Sequence, residues 1–222
     1  MTHLYMMPGM AANPSIFEHI HLPEEKYTIH FLEWQIPDPK ETLAAYALRM
    51  TQKIVHKDIV LLGVSFGGLL VQEMAKYTDV RKLIIVSSVK SKYELPKRMT
   101  LSRKLKLYAI LPTRLIEDID TLAKYAFGET IKNRVELYKK YLSMNNRQYL
   151  SWAVKEMVCW DQEQARPDII HIHGDADKIF PLKYIKDAIV VEGGTHIMVI
   201  TRAKWFNKNL PRLIENNYID LK

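Results

Sequence analysis

Six short stretches of the chain are apolar and separated by more polar segments: His3–Met7, Tyr27–Leu32, Asp58–Gly63, Lys82–Val86, Asp168–His173 and Ala188–Val191. Val and Ile dominate the later four. Near-continuous apolar runs of this length suit strands buried on both faces, the condition of a parallel sheet. Longer segments with three-and-four spacing lie between most of them. In Pro39–Val55, Leu43, Ala44, Ala47, Leu48, Thr51 and Ile54 recur on one helical face. Leu69–Tyr77 follows the third run and contains neither Gly nor Pro. Arg202–Asn216 gathers Trp205, Phe206, Leu210, Leu213 and Ile214 on one side, with Pro211 expected to bend or break the helix. Strands alternating with helices predict an α/β domain with right-handed crossovers.

One segment departs from the alternation. From Lys90 to about Arg166 the pattern is helical, and Pro96, Pro112, Gly128 and Asn145-Asn146 divide it into about four helices. This predicts an insertion over 90–166 between two strands of a core formed by 1–89 and 167–222. A chain of 222 residues with 48% hydrophobic content supports one domain with a large core. No Gly/Ser-rich stretch separates two independent units.

The formal net charge is +7. Much of the excess lies in Lys90, Lys92, Lys97, Arg98, Arg103, Lys104 and Lys106. Such a run is a solvated face or an anion-attracting surface beside a site. Charge by itself is the only feature pointing to nucleic acid, and no nucleic-acid partner is expected. The single cysteine, Cys159, excludes an intrachain disulfide and reads as a buried thiol on a helix face. The N-terminus lacks a basic segment followed by a long apolar run, and no stretch approaches the ~18 apolar residues of a membrane span. The expectation is a soluble cytoplasmic protein without membrane insertion.

The chemistry is concentrated at Gly63-Val-Ser65-Phe-Gly67, a G-x-S-x-G pattern with an apolar strand before it and a helix after it. A strand that turns at once into a helix leaves the residue at the turn strained and projecting. Side chains two positions before and after it would collide, which calls for glycine at both places. The serine hydroxyl then stands above the sheet edge, and the backbone N–H of Phe66 points at the reacting centre from the helix N-terminus. No Gly-Lys-Ser/Thr follows, so a phosphate loop fits poorly.

This stretch resembles the nucleophile elbow of the α/β-hydrolase superfamily, in its serine esterase-like branch with a helical cap, and the resemblance extends over nearly the whole chain. It implies a compact, mostly parallel sheet of about six strands flanked by helices, with 90–166 as the cap. It also implies catalytic groups in the chain order Ser, acid, His. Asp168–Pro181 resembles the family's acid loop, with Gly174, Asp177 and Pro181 in its spacing and Asp175 as the competing acid. His196, after Gly193-Gly194, resembles the catalytic histidine loop. The implied roles are Ser65 as nucleophile, His196 as base and Asp177 as its orienting acid. His3, His19, His21, His30 and His56 read as surface or edge residues, and His171 and His173 as structural. The second oxyanion donor is expected from the loop after the first strand, where Pro8-Gly9 stands in place of the family's frequent His-Gly and Met10 supplies the N–H. The family's usual first two strands are expected to be missing.

Leu105, Leu107, Tyr108, Ile110, Leu111, Leu115, Ile116, Tyr125 and Phe127 are candidates to line an acyl pocket or to pack the cap on the sheet; Tyr141, Leu142, Tyr149, Leu150 and Trp152 read the same way. The implied activity is hydrolysis of an ester or thioester of a small to medium acyl substrate. An acyltransferase, C–C hydrolase or aminopeptidase on the same triad, and a ligand-binding protein that keeps the fold, stand beside it. Zinc-site spacings and a G-x-G-x-x-G fingerprint are absent from the sequence, so no metal and no organic cofactor are expected.

Overall fold

The computed structural model describes residues 1–109 and 140–216. Strands β1 (Thr2–Met7), β2 (Tyr27–Phe31), β3 (Ile59–Val64), β4 (Val80–Val86), β5 (Ile170–Gly174) and β6 (Ile189–Val191) form one sheet in the order β2-β1-β3-β4-β5-β6. Every neighbouring pair is parallel. β3 and β5 are buried along their whole length, as their unbroken apolar runs require.

The strand order fixes where a site can form. From β1 the chain moves outward to β2, then returns to place β3 on β1's other side. The connections leaving β1 and β3 therefore diverge and open a crevice beyond their carboxyl ends. Met7 pairs with Gly63 at the last step of the β1–β3 ladder, so Pro8-Gly9-Met10 and Val64-Ser65 leave the sheet side by side.

Helix α1 (Leu43–Thr51) is capped by Thr42, whose hydroxyl accepts the Ala45 N–H. Helix α2 (Phe66–Met74) is buried at all nine positions. Its two polar residues are satisfied inside: Gln72 donates to the Gly68 and Val89 carbonyls, and Glu73 accepts from Trp160 Nε1 at 2.8 Å. Between β4 and β5 the described residues include α3 (Lys97–Lys104) and α4 (Arg147–Cys159). α4 starts at Asn146, whose side chain accepts the Tyr149 N–H. Its Trp152 donates to the Glu41 carbonyl, and Glu156 accepts the Leu43 N–H, which ties α4 to the start of α1. After β6 come α5 (Met198–Thr201) and α6 (Ala203–Glu215). No helix among the described residues is long and apolar enough to cross a membrane.

The break expected at Pro211 does not occur: α6 runs through it. Phe206 and Leu210 before the proline, and Leu213 and Ile214 after it, are all buried. Packing on both sides keeps the helix continuous despite one missing hydrogen bond. Cys159 is half-buried rather than enclosed.

Candidate active site

Ser65 sits between β3 and α2 with φ 53° and ψ −121°, a conformation L-residues avoid. The surroundings enforce it. Ser65 N–H donates to the Val86 carbonyl at 2.9 Å, and the Ser65 carbonyl accepts from Ser88 Oγ at 2.7 Å. A Cβ at Gly63 would strike the Gly67 backbone, and one at Gly67 would strike the Met7 and Pro8 carbonyls at the end of β1. The two glycines thus let the turn close and let it pack on the first strand.

The acid and the imidazole arrive on adjacent loops. Gly174, at the end of β5, touches Gly194 so closely that a side chain has no room. The Ala176 N–H donates to the Gly194 carbonyl at 3.0 Å, which joins the loop after β5 to the loop after β6. Asp177 is buried, whereas Asp175 is exposed. Asp177 Oδ1 accepts the N–H groups of Ile179 and Phe180 at 2.8 and 2.9 Å. Its Oδ2 lies 2.9 Å from His196 Nδ1, and His196 Nε2 lies 2.9 Å from Ser65 Oγ. Of the two aspartates, the one placed on His196 is Asp177. Burial would raise the Asp177 carboxyl, but the His196 charge and hydrogen bond and the Phe180 N–H outweigh it and hold the group below its usual range.

Phe66 opens α2 directly after Ser65, and Met10 lies on the loop after β1. Among the described residues, neither backbone N–H meets an acceptor, so both donors are free for a ligand oxygen. Met10 and Ser65 share the wall of a cavity of about 100 Å³ with Ile16, Leu142, Met157, Ile179, Ile197, Val199 and Ile200. That lining is almost wholly apolar. Of the expected lining residues, Leu142 is there, whereas Leu105 and Leu107 point to solvent. Tyr108 packs half-buried against the core. Ile110, Leu111, Leu115, Ile116, Tyr125 and Phe127 lie outside the described residues. Tyr141, Tyr149, Leu150 and Trp152 are buried in the core.

The remaining histidines divide into two groups. His171 and His173 are fully buried on β5, and burial holds both below the ordinary histidine range. His173 Nε2 donates to the Phe180 carbonyl at 2.7 Å, bracing the loop that carries Asp177. His3, His30 and His56 converge at the β1–β2 side, closely enough to be considered as metal ligands. The His3 and His56 rings, however, are stacked with centroids 3.5 Å apart and planes 12° apart. An imidazole binds a metal in its own ring plane, so one of these two rings must rotate before both could hold one ion. Sequence reading missed this cluster because its members lie on β1, on β2 and before β3, and only strand pairing joins them.

No family model and no curated protein sequence matches the chain. Solved structures do. A thermophilic esterase from Thermogutta terrifontis is 14% identical, with a TM-score of 0.69 over 97% of this chain and 91% of its own. The enol-lactonase from Burkholderia xenovorans is 12% identical, with a TM-score of 0.70 over 97% and 92%. A bromoperoxidase from Bacillus anthracis is 15% identical, with a TM-score of 0.65 over 97% and 92%. The six-stranded parallel sheet with flanking helices is the α/β-hydrolase fold.

Proposed function

We propose that this protein is a serine hydrolase that cleaves an ester or thioester of a small to medium, apolar acyl group. The observation that carries this reading is the unbroken chain from Asp177 through His196 to Ser65, with 2.9 Å at each step, opening into an apolar cavity. A serine hydroxyl is a weak nucleophile until a base stands within hydrogen-bond reach of it. Here the base is aimed at it, and the base is itself oriented by a buried carboxylate.

In the proposed reaction Ser65 Oγ attacks the acyl carbonyl carbon while His196 Nε2 takes the hydroxyl proton. Asp177 keeps Nδ1 protonated and stabilises the imidazolium. The N–H groups of Phe66 and Met10 donate to the oxygen that becomes negative. Collapse breaks the bond to the leaving group, which departs as an alcohol or thiol carrying the proton from His196. Water, deprotonated by His196, then attacks the acyl-enzyme; the acyl C–Oγ bond breaks, Ser65 Oγ takes the proton back from His196, and the carboxylic acid leaves. These groups complete the transfer, and the mechanism calls on no metal or organic cofactor. The apolar cavity receives the acyl group, and segment 90–166 serves as the cap that covers it, on a core of 1–89 and 167–222.

Fluorophosphonate labelling followed by intact mass and peptide mapping tests the reading on wild type, Ser65→Ala and His196→Ala. One adduct on Ser65 that requires His196 is the expected result. Folded wild type that takes no adduct would mean that Ser65 is not activated.

A further inference from the structure

The two oxyanion donors of the proposed reaction are held very unequally by the backbone. Phe66 opens α2, and the Ser65 carbonyl behind it is tied by the Gly68 N–H at 2.8 Å and by Ser88 Oγ. Met10 sits on an irregular loop whose local backbone bond is Ala12 N–H to the Gly9 carbonyl at 3.1 Å. The next residue, Ala11, has φ 63°, a left-handed conformation that a residue with a Cβ adopts only under constraint.

That constraint comes partly from the Met144 N–H, which donates to the Ala11 carbonyl at 3.1 Å, and partly from two aromatic side chains. Trp34 Nε1–H donates to the Gly9 carbonyl at 2.7 Å. The Trp34 ring also stacks on Phe66, with centroids 5.1 Å and planes 12° apart, so it touches both halves of the oxyanion site. On the other side of Met10, the Ala11 N–H donates to the Tyr149 hydroxyl at 3.3 Å, and the Tyr149 ring lies 5.4 Å from Trp34. Trp34 and Tyr149 are both buried, where each polar tip needs a partner.

The Gly9 C=O and the Met10 N–H belong to one peptide unit. A peptide is planar and trans, so its carbonyl and its N–H point in opposite directions; no cis peptide occurs among the described residues. Drawing the Gly9 oxygen toward buried Trp34 therefore turns the Met10 N–H away from Trp34, on a loop that lies against the turn: a Cβ added at Gly9 would meet Ser65 Cβ at 3.4 Å. A rotation of this peptide would present an oxygen where the reaction needs a donor. We propose that Trp34, assisted by Tyr149, is a positioning residue that fixes the Gly9–Met10 peptide plane and so completes the oxyanion hole. This inference rests on the serine-hydrolase reading.

Because the Met10 donor acts on charge that develops after binding, its loss should lower kcat and leave KM nearly unchanged. The test compares wild type, Trp34→Phe and Tyr149→Phe on a p-nitrophenyl ester. It also measures inhibition by a trifluoromethyl ketone, which becomes an oxyanion on Ser65, and by the matched alcohol, which does not. For Trp34→Phe the expected result is a kcat lowered by about tenfold or more with KM within about twofold. The ketone should weaken in parallel while the alcohol is unaffected, a split that general loosening would not produce. Folded Trp34→Phe with wild-type kcat and wild-type ketone inhibition overturns the proposal. If Trp34→Phe fails to fold, Tyr149→Phe decides, because it removes only a hydroxyl: weaker ketone inhibition supports the proposal and unchanged inhibition overturns it. Wild type that takes no fluorophosphonate on Ser65 overturns the hydrolase reading itself, and this inference with it.

Discussion

At the scale of single residues, the backbone of Ser65 is held in a conformation that only glycine adopts freely, at φ 53° and ψ −121°. This gives the proposed nucleophile a cost in stability that can be measured. Ser65→Gly and Ser65→Ala should both abolish turnover. Ser65→Gly should also unfold at a higher temperature than Ser65→Ala, by an amount equivalent to about 1 kcal/mol, because it alone relieves the strain. Equal melting temperatures would show that the turn is not strained. Asp177 provides a second handle. Its carboxyl is held below the ordinary range, so its charged form stabilises the folded state. That contribution is complete above the unfolded value of about 4 and fades as pH falls through the depressed folded value. The stability advantage of wild type over Asp177→Asn should therefore be largest above about pH 5 and shrink toward pH 3, as read from thermal unfolding across that range. Turnover by Asp177→Asn should fall by roughly 10³–10⁴-fold, since the imidazole loses its tautomer and its counter-charge.

At the scale of elements, the six strands lie close to where the apolar runs put them; β3 and β5 are buried along their whole length, whereas the edge strands β2 and β6 are buried only in part. Helix α6 shows where local rules yield. Pro211 forbids one backbone hydrogen bond, yet two buried side chains on each side of it keep the helix continuous. Restoring that bond should help. Pro211→Ala should raise stability by about 1–3 kcal/mol in denaturant unfolding, with no change in turnover. A loss of stability would mean that the proline's rigidity matters more to α6 than the missing bond. α4 is the converse case. The sequence leaves Tyr149 and Trp152 as residues that line an acyl pocket or pack the cap, and nothing in it says that Tyr149 reaches the loop after β1 or that Trp152 reaches the start of α1.

At the scale of the molecule, the order β2-β1-β3-β4-β5-β6 brings four distant connections to one end of the sheet. The loop after β1, the turn after β3 and the paired loops after β5 and β6 meet around a cavity whose walls, among the described residues, offer almost no polar side chain besides Ser65 and His196. Esters of uncharged apolar acids should therefore be preferred, and a dicarboxylic half-ester should be at least about tenfold poorer in kcat/KM. Leu142 closes part of the wall. Leu142→Ala should move the preferred acyl chain to greater length across a series of p-nitrophenyl esters. An unmoved optimum would place the acyl group elsewhere.

The sequence by itself determined the strands, the alternation that makes the sheet parallel, and the turn that carries Ser65, because each depends on neighbours along the chain. It narrowed the acid to two aspartates two residues apart. The tertiary structure decided between their positions, since only the contact of Gly174 with Gly194 sets which carboxylate faces His196 and which faces water. It also decided the walls of the cavity, which come from six separate segments, and the grouping of Trp34, Phe66 and Tyr149 around the Gly9–Met10 peptide. Periodicity reports which face of an element is buried; what that face is buried against is set by strand order and loop closure, and these join residues more than a hundred positions apart.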